Sequence, residues 1–348
     1  MILNKDVLSL DIGSYQTKAV VGKFQNGEIL LSQAFMIPTP QNVFQDGEII
    51  DIQTLKKAIS HELNRRNIKT NKVIYSLQST TVITREVDLP SVREEELENM
   101  LQFEVQQFFP TALDEYVIQY KVLKNIEEDE KKTRLLVAAL PKLIVENYME
   151  LSKSLNLRPI ALDIHSNSIS KLFMKGLKID QQDYKDCTLA VVDLGYQGIN
   201  INIIKDGILE FSRLLPFGGK DIDMTLINTL NLNPEEADER KKSIRTNPIE
   251  NETLEALILS CIEGWAEEIQ RIFKYHTSRS LGNKIDQISL MGGHSNLKDI
   301  ARVIEDYFNI STSVITNLSN VKFNLPTNQR DDLDIKCYLN AMGAIIRK

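Results

Sequence analysis

Two stretches far apart in this chain repeat one design, and that repeat limits the possible folds more than any other feature. Residues 8–21, LSLDIGSYQTKAVV, are an apolar β-run that breaks at Gly13–Ser14 and recovers through Thr17, Ala19, Val20 and Val21. Residues 188–204, TLAVVDLGYQGININII, again give an apolar strand, then Asp193-x-Gly195, a polar turn and a returning strand. A third strand follows in each case, after Asn26–Gly27 in the first copy and Asp206–Gly207 in the second. Both dipeptides favour the tight turns that join antiparallel strands. A three-stranded unit duplicated at long range is not a solenoid period. It predicts two similar α/β domains facing each other.

The turns themselves carry chemistry. The first hairpin tip brings together Asp11, Gly13, Ser14 and, on the returning strand, Lys18. A carboxylate, a bare backbone, a hydroxyl and an ammonium at one turn suit a metal–polyphosphate: turn N–H groups face phosphate oxygens, and a carboxylate holds Mg²⁺ through water. An ordinary hairpin with a solvated lysine has the same residues, so this turn alone decides nothing. The matched Asp193 and Gly195 favour phosphate or metal contact. Gly292–Gly293 stands between a predicted strand at 285–290 and a predicted helix at 297–308. It is either a tight βα turn or bare backbone against which a nucleoside lies. Its spacing is not that of a dinucleotide fingerprint, and no phosphate-loop motif with a following Lys-Ser/Thr exists in the chain. Gly218–Gly219–Lys220 reads as a turn.

The four histidines, His61, His165, His276 and His294, show no metal-ligand spacing, and no nucleophile elbow is present. His165 follows Asp163 by two residues, which makes that turn polar. It is either near the cleft or part of a helix-start capping pair.

With 348 residues the chain is long enough for two domains with sizeable cores. Its formal net charge of −7 argues against non-specific nucleic-acid binding and against a polybasic membrane surface. Three widely spaced cysteines, Cys187, Cys261 and Cys337, suggest buried small hydrophobes in a reducing cytoplasm. The N-terminus runs straight into a strand with no signal-peptide pattern, and no apolar run has membrane-spanning length. Association with a membrane is therefore expected through a partner.

Between the repeats, Ile52, Leu55, Ile59 and Leu63 mark one face of a helix, followed by strands at 72–77 and 80–89. From about residue 85 the pattern changes. Ser91 and Glu94 form a capping-box pair for a helix with the stripe Leu97, Leu101, Val105 and Phe108, ended by Pro110. Two strands joined by a charged EEDEKK turn follow, and then a helix at 141–155 with Leu143, Val145, Tyr148 and Leu151 as expected core. This is a compact α+β module inserted in the first domain. The second domain contains a highly charged helical segment around EEADERKK and a long helix carrying Trp265. The terminal helix has Ala341, Gly343 and Ala344, small residues suited to close packing. The expected organisation is a first lobe (1–84, 158–187, 325–348) and an inserted subdomain (85–157). A second lobe (188–225, 285–324) and a helical nucleotide-side subdomain (226–284) complete it.

LDIGSYQTKAV, VVDLGYQGINI, the glycine pair after the third strand, LMGGHSNL and the terminal AMGAIIRK together resemble the ordered motifs of the actin-like ATPase superfamily. Within it, VDLPSVREEELENMLQFEVQQFFP and LLVAALPKLIVENYMELSKSLNLRPIALDI resemble the PilM family of type IV pilus assembly proteins. The resemblance implies an α/β, actin-like fold of two duplicated ribonuclease H-like lobes with an α+β insert. It implies ATP or ADP with Mg²⁺ between the lobes, and the N-terminal peptide of a PilN-like inner-membrane protein gripped beside the insert.

By the resemblance, Asp11, Gly13, Ser14, Tyr15 and Lys18 form one jaw, and Asp193, Gly195 and Tyr196 the other. Asp11 and Asp193 hold Mg²⁺ through water. Gly218, Glu268, Arg271, Gly292, Gly293 and Ser295 border the nucleoside, and Asp163 positions a water. ATP turnover, if any, is expected to be slow, because no dedicated base is evident and positioning carries most of phosphoryl transfer. Other pilus proteins and self-association stay open as partners. The alternatives are a small-molecule kinase of the superfamily and an FtsA-type division filament protein. The insert is misplaced for a kinase's substrate lid, and FtsA continues into an amphipathic membrane helix where this sequence ends at Lys348.

Overall fold

The computed structural model describes residues 5–93, 96–97, 99–101, 103–104, 113–125, 132–173, 178–180, 182, 186–243, 252–278, 284–324 and 333–347. The first repeat forms β1 (Val7–Ile12), β2 (Gln16–Gln25) and β3 (Glu28–Pro38), all antiparallel. Every residue of β1 is buried, as expected of a strand covered on both faces. A two-stranded ribbon, β4 (Phe44–Gln45) and β5 (Glu48–Ile49), leads into α1 (Ile52–Arg65). The Asp51 carboxylate accepts from the Thr54 backbone N–H at 3.0 Å and caps this helix, whose Leu55 and Ile59 are buried. β6 (Lys72–Leu77) returns parallel to β1.

The chain then leaves the lobe for the inserted module, built from β7 (Ile83–Pro90), β8 (Tyr116–Asn125) and β9 (Lys132–Pro141); α2 (Lys142–Ser154) follows, with Ile144, Tyr148 and Leu151 packed in the first lobe's core beside Leu55 and Ile59. The module's sheet order is β7-β9-β8. Leu97 and Leu101, from the helical stretch between β7 and β8, pack on Val87, Leu89, Leu135 and Val137 as a small core of their own. Glu94, Val105, Phe108 and most of the EEDEKK turn lie outside the described residues. The Ser91 hydroxyl is bonded to Thr133 Oγ1 at 2.8 Å. On α2, Ile144, Tyr148 and Leu151 face the core, whereas Leu143 is 56 % exposed. The expected stripe is thus shifted by one residue at the start of this helix.

β10 (Arg158–Ile164) pairs parallel with β6, and α3 (His165–Leu172) follows it directly. The second repeat is β11 (Thr188–Leu194), β12 (Ile199–Lys205) and β13 (Ile208–Leu215), again antiparallel. The registers of the two copies coincide: Asp11 stands opposite Lys18, and Asp193 opposite Asn200. Next come α4 (Gly219–Leu230), α5 (Pro234–Ser243) and α6 (Glu252–Ser278). β14 (Gln287–Met291) lies parallel to β11 just as β6 does to β1, then α7 (Ile300–Phe308) and β15 (Thr312–Val314) complete that lobe. The sheet orders are β13-β12-β11-β14-β15 here and β10-β6-β1-β2-β3 in the first lobe. β16 (Val321–Phe323), grouped with the second lobe by sequence, adds to the first sheet beside β3.

The terminal helix α8 (Leu339–Ile345) is wholly buried and crosses α3. A Cβ at Gly343 would come within 2.0 Å of the Ser168 carbonyl oxygen, so only glycine permits this approach. The core around α8 joins Ala341, Met342 and Ala344 to Val20 and Ile74 of the first lobe and to Leu189 and Val191 of the second.

Candidate functional site

The two glycine turns sit at the ends of β1 and β11. Asp11 and Asp193 are both buried there. The Asp11 carboxylate is 2.9 Å from His165 Nε2 and 3.8 Å from Lys18 Nζ. Burial opposes its ionisation, but Lys18 and His165 outweigh that and hold its pKa below the usual value. Asp193 differs. Burial dominates and raises its pKa, with Asp11 adding to the effect, against opposing contributions from His165, Lys18 and an Asn340 amide that donates at 2.7 Å. Lys18 loses solvation by burial, yet Asp11 and Asp193 together raise its pKa. The ammonium pairs with Asp11 at 3.8 Å and feels the Asp193 charge of the other lobe through space.

Glycines let the turns close. Thr39 donates from its hydroxyl to the Gly13 carbonyl at 2.7 Å, pinning the first tip, where a Cβ at position 13 would come within 2.9 Å of the Gln16 carbonyl. Ser14 is half-buried at the same tip. In the second turn Gly195 N–H donates to Gly198 O at 3.0 Å, and Gly219 N–H to Gly195 O at 3.1 Å. Gly218, whose Cβ would lie 2.5 Å from Gly195 O, lets the start of α4 dock on that turn. Gly292 adopts φ 85°, a Cβ there would fall 2.3 Å from Asp193 Oδ1, and the buried Ser295 hydroxyl donates to the Gly292 carbonyl at 2.7 Å. A Cβ at Gly293 would meet nothing within 4 Å. The structure thus brings Asp11, Gly13, Ser14, Lys18, Asp193, Gly195, Gly218, Gly292, Gly293 and Ser295 to the strand ends and glycine turns between the lobes.

Tyr15 and Tyr196, at the tips, face each other across the lobes with ring centroids 5.0 Å apart. Glu268 and Arg271 pair with each other at 2.7 Å on α6, with the Arg271 side chain 71 % exposed. Asp163, expected to position a water, is otherwise engaged. It accepts from Asn167 at 2.7 Å, Lys171 at 2.6 Å, Arg347 at 3.1 Å and its neighbour's N–H at 3.0 Å. Those partners engage both of its oxygens and tie β10 and α3 to the C-terminal segment. Burial lowers the Lys171 pKa to about 8, with Arg347 assisting and Asp163 opposing.

His165 takes the place beside Asp11. Its other nitrogen is 3.1 Å from Gln78 Oε1, to which Asn200 Nδ2 of the second lobe donates at 3.4 Å. Gln78, Asn200 and Asn340 escaped the sequence reading, since amides on strand ends and helices carry no motif. His165 was visible only as a polar turn residue. A cavity of about 580 Å³ opens on this relay, lined by Gln78, His165, Asn200, Arg85, Phe211 and Tyr275 among others, between the inserted module and β13.

The geometry has counterparts in known proteins. The solved PilM-PilN type IV pilus biogenesis complex superposes over 97 % of this chain and 97 % of its own with a TM-score of 0.82 at 19 % identity. The ethanolamine utilization protein EutJ from Carboxydothermus hydrogenoformans matches over 99 % of this chain and 90 % of its own, with a TM-score of 0.57 at 11 % identity. MreB5 of Spiroplasma citri, solved bound to ADP, matches over 98 % and 95 % with a TM-score of 0.52 at 12 % identity. These likenesses show the two-lobed actin-like fold expected from the duplicated motifs. The sequence matches the family model of the type IV pilus assembly protein PilM over residues 9–348. The chain belongs to the PilM family of type IV pilus assembly proteins.

Proposed function

We propose that this chain is a cytoplasmic scaffold of the type IV pilus inner-membrane machinery. It binds the N-terminal cytoplasmic peptide of a PilN-like protein, and lobe closure around a nucleotide tunes that grip. The observation that carries the partner half is the inserted module. It has its own sheet and small core, and among the described residues it holds three of the eleven exposed large apolar side chains: Val92, Phe103 and Val122. An independent surface unit with exposed apolar groups is suited to gripping a peptide. Family membership and the likeness to the PilM-PilN complex support the same reading. No described helix is long and apolar enough to cross a membrane; in this reading the PilN-like partner holds the protein at the inner face.

The nucleotide half rests on the donor set. Two buried carboxylates, one from each lobe, and the lysine paired with Asp11 suit a Mg²⁺–polyphosphate, and Gly13 and Gly195 let the two turns close tightly at the strand ends. Asp11 and Asp193 would hold Mg²⁺ through water, Lys18 and Ser14 the phosphates, and Gly218, Gly292, Gly293 and Ser295 the nucleoside. When bound, Mg-ATP would supply differential affinity for the closed lobes. The chain's own part is to fix the charges. His165 holds Asp11 and Asn340 holds Asp193, so neither carboxylate must reorganise on binding.

Calorimetry of the full chain with a PilN amino-terminal peptide, with and without Mg-ATP, tests both halves. Binding that is lost in Phe103→Asp and Val122→Asp and strengthened by nucleotide is expected. A peptide that fails to bind the folded wild type removes the partner assignment.

A further inference from the structure

Aromatic rings run along the glycine turns between the lobes. His294, between Gly293 and Ser295, lies flush on the start of α4: a Cβ at Gly219 would fall 1.8 Å from His294 Nε2. Its ring is stacked with Tyr196 at 6.4 Å and 26°, and Trp265 of α6 meets it edge-on at 6.4 Å. Tyr196 in turn contacts Tyr15 at 5.0 Å, and the Tyr15 hydroxyl donates to both Asp238 carboxylate oxygens at 3.1 and 3.0 Å. Lys241 Nζ lies 6.0 Å from the Tyr15 ring and 5.6 Å from the Tyr196 ring, with Lys242 5.8 Å from Tyr15. Lys241 is itself held by Asp223. The ladder Trp265–His294–Tyr196–Tyr15 thus runs from the second lobe's long helix, past both of its glycine turns, to the first lobe's hairpin tip. It ends in a hydrogen bond to α5.

We propose that Tyr15, Tyr196 and His294 form a built-in plug that bridges the two lobes and that must swing aside before a nucleoside diphosphate or triphosphate can enter. The proposal rests on the nucleotide reading of the cleft. Its physical basis is that a base and ribose need apolar and polar contacts against Gly218–Gly219 and Gly292–Gly293, and His294 and Tyr196 already make contacts along those turns. Aromatic pairs and cations over ring faces contribute favourably in the closed state. A ligand that must first break them binds with its affinity reduced by the fraction of open molecules. Tyr15 follows Ser14 and Tyr196 follows Gly195, so the gate stands at the two phosphate turns as well as on the glycine pairs, while Asp11 and Asp193 keep their own partners, His165 and Asn340.

The chain has a single tryptophan, and it is the one against His294. Energy transfer from Trp265 to N-methylanthraniloyl-ADP therefore reads occupancy of the cleft, with excess unlabelled ADP as competitor. The full-length wild type, Tyr15→Ser and His294→Ala are titrated in parallel. Tyr15 is at an exposed tip, so its variant stays informative if the buried His294 variant fails to fold. Affinity is expected to rise about tenfold or more in each folded variant, the factor expected if the open form is a minor species. Equal affinity in wild type and Tyr15→Ser, or weaker binding in the variant, overturns the plug and leaves the nucleotide reading standing. Absence of ADP-displaceable binding in every form overturns the nucleotide reading and the plug with it.

Discussion

His165 Nε2 lies 2.9 Å from Asp11 Oδ1, and the opposite ring nitrogen lies 3.1 Å from Gln78 Oε1. One imidazole therefore links the first glycine turn to an amide that Asn200 of the second lobe also contacts. His165→Ala should leave the Asp11 carboxylate buried beside a gap. A loss of about 1–3 kcal/mol in urea unfolding is expected, the cost of stripping a buried polar group of its partner. An unchanged midpoint would show that the relay carries no stability.

Glycine positions make a paired prediction. Gly343→Ala places a Cβ 2.0 Å from the backbone oxygen of Ser168, an atom that cannot rotate away, so the melting temperature should drop by several degrees or more. Gly264 sits inside α6 with nothing within 4 Å of its Cβ position. Gly264→Ala should stabilise by about 0.5–1 kcal/mol through helix propensity alone. Circular-dichroism melts of the two variants should move in opposite directions.

Acid sensitivity should trace to Asp163. Burial opposes its ionisation, but Lys171 and Arg347 prevail and hold its pKa below 3.8 in the folded chain. The unfolded chain then binds the proton more tightly. Stability from this group is full above the unfolded value and lost as pH falls through the folded one. Asp163→Asn should be less stable at neutral pH and show a flatter decline below about pH 4. A parallel decline in both proteins would contradict the assignment.

Asp193 has the opposite sign. Its pKa is raised in the fold, mainly by burial, so its contribution falls as pH rises from the unfolded value through the raised one. Asp193→Asn removes that burden and keeps a polar partner for Asn340. It should therefore gain stability relative to wild type on going from acidic to neutral pH, as urea midpoints at both pH values will show. The same variant should weaken Mg-ATP binding if Asp193 is the second lobe's metal carboxylate.

Much of the architecture was legible in the sequence because its signals are local. The two β-runs, their Asn26–Gly27 and Asp206–Gly207 turns and the matched Asp-x-Gly tips depend on neighbours a few residues apart, and they marked the duplicated sheets. The small residues of α8 announced a close helix crossing, and Gly343 against Ser168 is that crossing. Leu143 shows the limit even for a helix: Ile144 next to it is buried instead, because the direction from which the sheet approaches sets the buried face.

The site divides in the same way. Carboxylate, glycine and lysine at a turn tip are sequence-local, so Asp11, Gly13 and Lys18 could be named together from the chain alone. Whether Asp163 or His165 turns toward Asp11 depends on how β10 ends and α3 begins, and on Lys171 and Arg347 claiming Asp163 from elements far along the chain. Nor does anything near His294 in the sequence say that its ring will lie on Gly219 and stack with Tyr196. By itself the sequence determined two duplicated lobes, an inserted module and the residues at each turn, since hydrophobic period and turn chemistry act over a few residues. Only the tertiary structure decided which polar groups meet, and that the rings of Tyr15, Tyr196 and His294 come together at the glycine turns, because those contacts join positions whose separation no local pattern encodes.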